Sequence, residues 1–185
     1  MIDAPASGRR VVVLALGSNV GDRMASLQCG IDLVAGDGLA ATAVSGVFET
    51  APVGGPAQAD YLNAVLLAAS SLSARDILAR CAAAEQAAGR ARTVRWGPRT
   101  LDVDIITCGE EQSSDPVLML PHPRAHERAF VLAPWLDVQP AAVLPGWGPV
   151  ADLLAGTSMA GVWRRPDLSL VLPSPATNGG VTPCG

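Results

Sequence analysis

The sequence predicts an α+β domain of the ferredoxin-like kind, an antiparallel sheet in β-α-β-β-α-β order with helices packed on one side. Three observations point to it: a strand-sized apolar run, VVVLAL; two helical stretches that each follow a strand; and a closing segment, LDVDI, that alternates with a period of two. At about 100–200 residues per domain, 185 residues make one domain with room for a real core.

Val11 to Leu16 is apolar at every position and ends at Gly17, as a buried strand does. Gly17 to Gly21 forms a turn, and Asp22 to Val34 a helix with Met24, Leu27, Ile31 and Val34 at helical spacing. Asn19 and Asp22 are the available caps for that helix. A second strand covers about 40–49, the loop APVGGPAQAD follows, and a third strand runs over about 61–69. These two strands are expected to pair as an antiparallel hairpin. A connection of more than about ten residues in a small domain is more often functional than idle.

Ser73 then caps a helix through Ala88, with Ile77, Leu78, Cys81 and Ala84 inward and Gly89 as terminator. Leu101 to Thr107 is the last strand of the set, with short helices expected near 123–128 and 150–154. Residues 1–8 and the Pro/Gly/Ser/Thr-rich 166–185 are expected to be flexible tails around a domain at 9–160.

All thirteen basic residues are arginine. A chain without lysine has no G-x-x-x-x-G-K-[ST] phosphate loop, no kinase-type phosphate lysine and no Schiff base. Phosphate, if handled, falls to arginine, backbone amides or metal. The net charge of -4 speaks against a nucleic-acid partner. Six arginines nevertheless lie between Arg75 and Arg99, a local positive character that the net charge hides.

Cys29, Cys81, Cys108 and Cys184 show no close pair and are expected to be reduced thiols in a cytoplasmic protein. No signal-peptide core and no membrane-length apolar run is seen, so no membrane partner is expected.

The densest constellation is GRARTVRWGPRTLDVDII at 89–106. Asp102 and Asp104 are two apart on a strand, so both carboxylates leave one face about 6.6 Å apart, while Leu101, Val103 and Ile105 take the core side. Two hard carboxylates on a rigid strand suit Mg²⁺, which completes its shell with water and phosphate oxygens. A lone D-x-D is equally the pattern of a solvated strand face. Its neighbours Arg90, Arg92, Arg95 and Arg99, on a loop broken by Gly89, Gly97 and Pro98, favour a phosphate site, since guanidinium groups grip phosphate in bidentate fashion.

In ETAPVGGPAQADYLNAV, Tyr61 and Asn63 share a strand face and offer a ring and an amide to a flat heterocycle; packing alone would also explain them. In LPHPRAHERAFVLAPW, His122 and His126 have an i,i+4 offset, but no third ligand is evident, so zinc is not favoured. A phosphate or leaving-group contact, or a cap, suits His122 better. LGSNVGDR lacks both the lysine and the G-x-G-x-x-G spacing of phosphate loops and reads as a turn and helix cap.

With these segments in order and near the same spacing over about 11–140, the chain resembles the 6-hydroxymethyl-7,8-dihydropterin pyrophosphokinase family of folate biosynthesis; RWGPRTLDVDI is the most specific of them. The resemblance implies a ferredoxin-like α+β fold and transfer of the terminal diphosphate of ATP to the hydroxymethyl oxygen of 6-hydroxymethyl-7,8-dihydropterin, with release of AMP.

Carried over by motif position, Asp102 and Asp104 resemble ligands of two Mg²⁺ ions. Arg90, Arg92 and Arg99 resemble phosphate contacts, and Arg95 and Trp96 part of a loop that closes over both substrates. Glu85, Ile105, His122 and Arg128 fall on the ATP side. Tyr61 and Phe130 resemble an aromatic pair around the pterin, with Asn63, Thr50, Val53 and Trp96 also on its side. A cytoplasmic monomer is expected.

The chain departs from the pattern in having only Thr93 and Val94 between Arg92 and Arg95, where familiar members have three residues. Val117 and Pro123 stand where some members have an arginine and a tyrosine. Two other readings stay open: a phosphotransferase or phosphohydrolase that yields ADP, and a regulatory module that binds a nucleotide without turnover.

Overall fold

The structure is a computed structural model and describes residues 8–52, 58–89 and 99–174. Its centre is β1 (Arg10–Ser18) paired along its whole length with β4 (Tyr61–Ser70), from Arg10 opposite Ser70 to Ser18 opposite Leu62. On the far side of β1 lies β5 (Asp102–Cys108). On the far side of β4 lie β2 (Leu39–Val44) and then β3 (Val47–Thr50). Every one of these pairings is antiparallel. With α1 (Arg23–Val34) after β1 and α2 (Ala74–Ala87) after β4, the expected β-α-β-β-α-β order is the backbone of the fold.

The second strand, expected as one piece, is divided at Ser45 and Gly46. Pairing with β4 nonetheless continues across the break. Ser45 N–H donates to Val65 O, and Val65 N–H donates to Ser45 Oγ, each at 2.9 Å, so a side-chain oxygen stands where a ladder carbonyl would. The Gly46 N–H donates to Asp137 at 2.8 Å.

Helices lie on both faces of the sheet, not on one. The first face packs Val12, Leu14, Leu16, Leu62, Leu66, Val103 and Ile105 against Leu27 and Ile31 of α1 and Ile77 and Cys81 of α2. The second packs Val13, Val65, Leu67 and Ile106 against Val131, Leu132 and Trp135 of α3 (Ala129–Val138), with Val150 of α4 (Val150–Ala155). The buried Trp135 donates its indole N–H to Gln139 at 2.9 Å.

The sequence carried this in the consecutive apolar residues of VVVLAL and NAVLLAA, the mark of strands buried on both faces. Pro134 inside α3 masked that helix, because proline removes a helical N–H. Of the helix expected at 123–128, only a 3₁₀ turn, Ala125–Glu127, is present.

Small hairpins complete the second half: β6 (Ser113–Asp115) with β7 (Leu118–Leu120), and β8 (Val143–Leu144) with β9 (Gly148–Pro149). The caps are as chemistry prefers. Asp22 accepts the Ala25 N–H at 3.0 Å and Ser73 that of Asp76 at 3.1 Å. Gly89 terminates α2 with φ 77°, a left-handed conformation that favours glycine.

The chain after residue 160 stays with the domain as far as it is described. β10 (Val162–Arg165) extends the sheet along β3. Leu168 and Leu170 pack on the first core, and Gln28 of α1 exchanges two hydrogen bonds with the main chain of Val171, at 2.9 and 3.0 Å. A polar, Pro-rich composition pointed to a tail at 166–185, but two leucines two apart are enough to dock its first part. Residues 175–185 lie outside the described residues.

Cys81 and Cys108 are free and buried, and burial, with the Glu85 charge nearby, pushes the Cys81 thiol up to about 12. Cys29 is disulfide-bonded, which corrects the expectation of four reduced thiols; Cys184 lies outside the described residues. Spacing along the chain is blind to pairing, which depends on Cα atoms meeting within about 7 Å in space. Among the described residues, no helix is long and apolar enough to cross a membrane.

Because Leu132 is fully buried under the second face, Leu132→Ala is expected to destabilise the fold by about 3 kcal/mol through lost burial and a residual cavity. Urea unfolding measures this, and a loss below about 1 kcal/mol would mean that α3 is only loosely applied to the sheet.

Candidate active site

At the end where β1 stops, the second face of the sheet carries very small side chains. Ala15 and Gly17 lie on the same face of β1 as Val13. In register, Gly17 stands between Asn63 of β4 and Asp102 of β5, and Ala15 between Val65 and Asp104. Directly opposed residues on an antiparallel pair share a face, so Asn63 and Tyr61 line one side of this floor, and Asp102 and Asp104 the other. A Cβ on Gly17 would come within 3.3 Å of Asn63 Oδ1 and 3.8 Å of Tyr61 Cδ1. Local spacing marks Gly17 only as the end of a strand and the start of a turn. Its parity with Val13 was the signal that it also forms a floor.

On the carboxylate side, β5 is an edge strand, and Glu85 of α2 reaches its open edge. Glu85, 7% exposed, accepts the Val103 N–H at 2.9 Å, midway between the two aspartates. Ile105 points its side chain into the first core. Its main chain has the parity of Val103, so what it offers a ligand is backbone at the edge.

Asp102 is paired with the Arg99 guanidinium. Burial works against the Arg99 charge, but Asp102 outweighs it and raises the arginine's pKa above its ordinary value. Asp104 Oδ2 accepts from Arg128 Nη1 at 3.3 Å and lies 3.7 Å from His122 Nε2. Even so, burial first and the Asp102 charge second push the Asp104 carboxyl up, against the pull of His122, Arg128 and Arg99.

His122 is held by its own N–H to Ile106 O, at 2.9 Å, and by its Nδ1, which accepts the Arg124 N–H at 3.1 Å. That bond places the proton of the neutral ring on Nε2, toward Asp104. Burial lowers the His122 pKa despite Asp104, so the neutral ring is favoured at pH 7.

On the other side, Thr50 Oγ1 accepts from Asn63 Nδ2 at 2.9 Å, and both residues are buried. Tyr61 is half-buried, and burial raises its hydroxyl pKa, opposed by Arg99. Phe130, in the first turn of α3, packs against the second core with the Arg128 guanidinium 5.6 Å from its ring centre.

The structure thus brings Thr50, Tyr61, Asn63, Arg99, Asp102, Asp104, His122 and Arg128 to one end of the second face. Val53, Arg90, Arg92, Arg95 and Trp96 lie outside the described residues. His126 stacks on Trp147 with ring centres 3.5 Å apart, and among the described residues no group of three or more His, Cys, Asp or Glu could hold a metal by itself. Arg75 pairs with Asp115, and Arg80 donates to Asp37 O at 3.0 Å, so both have structural partners.

A half-buried carboxylate pair beside arginines, facing an amide and an aromatic ring across a bare floor, can receive a polyphosphate on one side and a flat heterocycle on the other. A phosphoryl-transfer enzyme is the class that this fold and site define. A family model described as 7,8-dihydro-6-hydroxymethylpterin-pyrophosphokinase (HPPK) matches residues 13–140, and the chain belongs to that family. It is a pyrophosphokinase, a diphosphotransferase of folate biosynthesis.

Relatives named 2-amino-4-hydroxy-6-hydroxymethyldihydropteridine pyrophosphokinase include one from Mycobacterium bovis, 46% identical over 157 residues, covering 78% of this chain and 82% of the relative. Another, from Bacillus subtilis, is 40% identical over 129 residues, covering 69% and 77%. The Arabidopsis thaliana protein named "Folate synthesis bifunctional protein, mitochondrial" is 39% identical over 132 residues, covering 71% of this chain and 24% of the relative. The crystal structure of wild-type Plasmodium falciparum HPPK-DHPS with STZ-DHP shares the fold, with a TM-score of 0.64 at 12% identity. That likeness covers 80% of this chain, which spans 43% of the Plasmodium chain.

The folded state holds the Asp104 proton more tightly than the unfolded chain does. This group therefore favours folding below the ordinary carboxylate range, and that contribution is lost as pH rises through the raised folded value. In metal-free buffer, Asp104→Asn is expected to raise the thermal midpoint at pH 7 and to leave it nearly unchanged near pH ~3.5, below the ordinary aspartate value. A lower midpoint at pH 7 would mean that Arg128 and His122 dominate the site.

Proposed function

We propose that the chain transfers the terminal diphosphate of ATP to the hydroxymethyl oxygen of 6-hydroxymethyl-7,8-dihydropterin and releases AMP. The observation that carries this reading is the placement of Asp102 and Asp104 across the Ala15–Gly17 floor from Tyr61 and Asn63. One end of the sheet then holds a polyphosphate receptor and a heterocycle receptor side by side.

Two Mg²⁺ ions fit the donor set. Asp102 and Asp104 are hard oxygen donors on one face, and their mutual repulsion, felt in the raised Asp104 pKa, is what a divalent cation relieves. With only two protein carboxylates, the remaining positions fall to water and phosphate oxygens, as magnesium prefers. When bound there, magnesium supplies charge neutralisation for the transferring phosphates.

The chain's own residues do the rest. Arg99 and Arg128, which pair with the aspartates in this structure, would be available to phosphate oxygens if Asp102 and Asp104 held Mg²⁺. We assign Arg90, Arg92 and Arg95 to the same task and His122, with its Nε2 proton, to a phosphate oxygen. Glu85 and the main chain of Ile105 serve the nucleotide at the β5 edge. Tyr61, Phe130 and Trp96 flank the pterin ring, with Asn63 hydrogen-bonding its edge and Thr50 and Val53 lining the pocket.

In the transfer, the hydroxymethyl oxygen bonds to the β-phosphorus and the oxygen between the α- and β-phosphates leaves with AMP. The hydroxyl proton would pass either to Asp104 or, with the hydroxyl's own pKa lowered by the cation, to water. A cytoplasmic monomer is the working unit in this reading.

Incubation with ATP, Mg²⁺ and the reduced hydroxymethylpterin is expected to give AMP only when the pterin is present. ADP, or no nucleotide product, would overturn the reading in favour of another phosphotransferase or a binding module. Asp104→Ala is expected to abolish turnover with an unchanged circular dichroism spectrum; retained activity would remove the metal assignment. Tyr61→Ala is expected to raise the pterin KM by about tenfold and leave the ATP KM little changed, as for loss of one stacked ring. An unchanged pterin KM would move the heterocycle elsewhere.

A further inference from the structure

Beyond the last pair of the β1–β4 ladder, at Ser18 and Leu62, the strands no longer register one another. The next residue of the chain is Asn19, 3% exposed, whose side-chain polar atoms are both engaged. Its N–H donates to Arg99 O at 3.0 Å, and its Oδ1 accepts the Arg99 N–H at 2.8 Å, so Arg99 is gripped through both of its backbone groups. Its Nδ2 donates to Gln58 Oε1 at 2.9 Å and to Ala59 O at 3.1 Å.

Four residues on, Arg23 donates to the next carbonyl, Asp60 O, at 2.8 Å and to Glu49 Oε1 at 2.8 Å. Asn19 in the turn and Arg23 at the start of α1 therefore hold residues 58–60, just before Tyr61, and Asn19 holds residue 99, three before Asp102.

We infer that Asn19 is a positioning residue that couples the two halves of the site, resting on the function proposed above. Arg99 faces Asp102, and Tyr61 begins the strand that residues 58–60 lead into. With both approaches fastened to one amide, a nucleotide that settles Arg99 also settles the approach to Tyr61, and a pterin against Tyr61 settles Arg99. Each ligand then tightens the other, a linkage that must be reciprocal. Helix capping does not explain the residue, because Asp22 already caps α1.

The test is binding without turnover. Mg²⁺ and α,β-methylene-ATP, in which the bond to be broken is replaced, are used with 6-hydroxymethylpterin, and its affinity is measured with and without the nucleotide analogue. For the parent protein the analogue is expected to tighten pterin binding by at least about fivefold, and Asn19→Ala to bring that ratio close to one. Asn19→Asp keeps the acceptor for Arg99 but loses the donor to Gln58 and Ala59, and is expected to lose the coupling as well. Gln58→Ala removes one partner from the surface side and is expected to reduce the ratio partially, which keeps the test open if Asn19→Ala does not fold.

A parent ratio near one, or a parent-like ratio in Asn19→Ala and Asn19→Asp, would overturn the inference. A residue that only stabilised the turn would lower the thermal midpoint and leave the ratio intact. The functional reading fails separately, if the parent protein makes no AMP.

Discussion

The domain is organised by the ladder between β1 and β4. Because side chains alternate with a period of two, that single register decides which residues reach each face, and a slip of one residue would exchange the two cores. It puts Leu14 and Leu16 under α1 and α2, Val13 under α3, Ala15 at the margin of the second apolar core and Gly17 past it on the same face. The site is thus a consequence of where large side chains stop along β1. Where they continue, α3 seals the face; where they shrink to a methyl and then to hydrogen, a floor is left.

Charge at this floor is balanced locally and incompletely. Asp102 has Arg99, and Asp104 has Arg128 with the neutral ring of His122 beside it, yet burial and like-charge repulsion still raise the Asp104 pKa. A half-buried pair of neighbouring carboxylates is costly to keep ionised, and such tension is characteristic of sites that receive a cation. The fold sustains it by fixing the backbone that carries the charges. β1 holds one edge of β5, and Glu85 of α2 holds the Val103 N–H on the other.

Much of this was readable in advance where chemistry is local. LDVDI alternates, so the face shared by Asp102 and Asp104 follows from strand geometry alone, as does the face shared by Tyr61 and Asn63. Ser73 before α2 and Gly89 after it announced the helix ends. The roles that local spacing does not reveal depend on distant partners: Gly17 by what it lacks between two strands, Ser45 by completing a ladder bond, Asn19 by joining residues 58, 59 and 99. The disulfide at Cys29 and the docking of Leu168 and Leu170 escaped for the same reason.

The sequence by itself determined the element order, the faces of the strands, the absence of lysine and the family, because each depends on residue type and spacing within a short window. Only the tertiary structure decided that a second helical layer covers the other face, that the carboxylate pair lies across one glycine from the amide and ring, and that one asparagine spans the approaches to both. Those depend on the register between strands far apart in the chain. That register is set by the burial of both faces at once, which no single segment records.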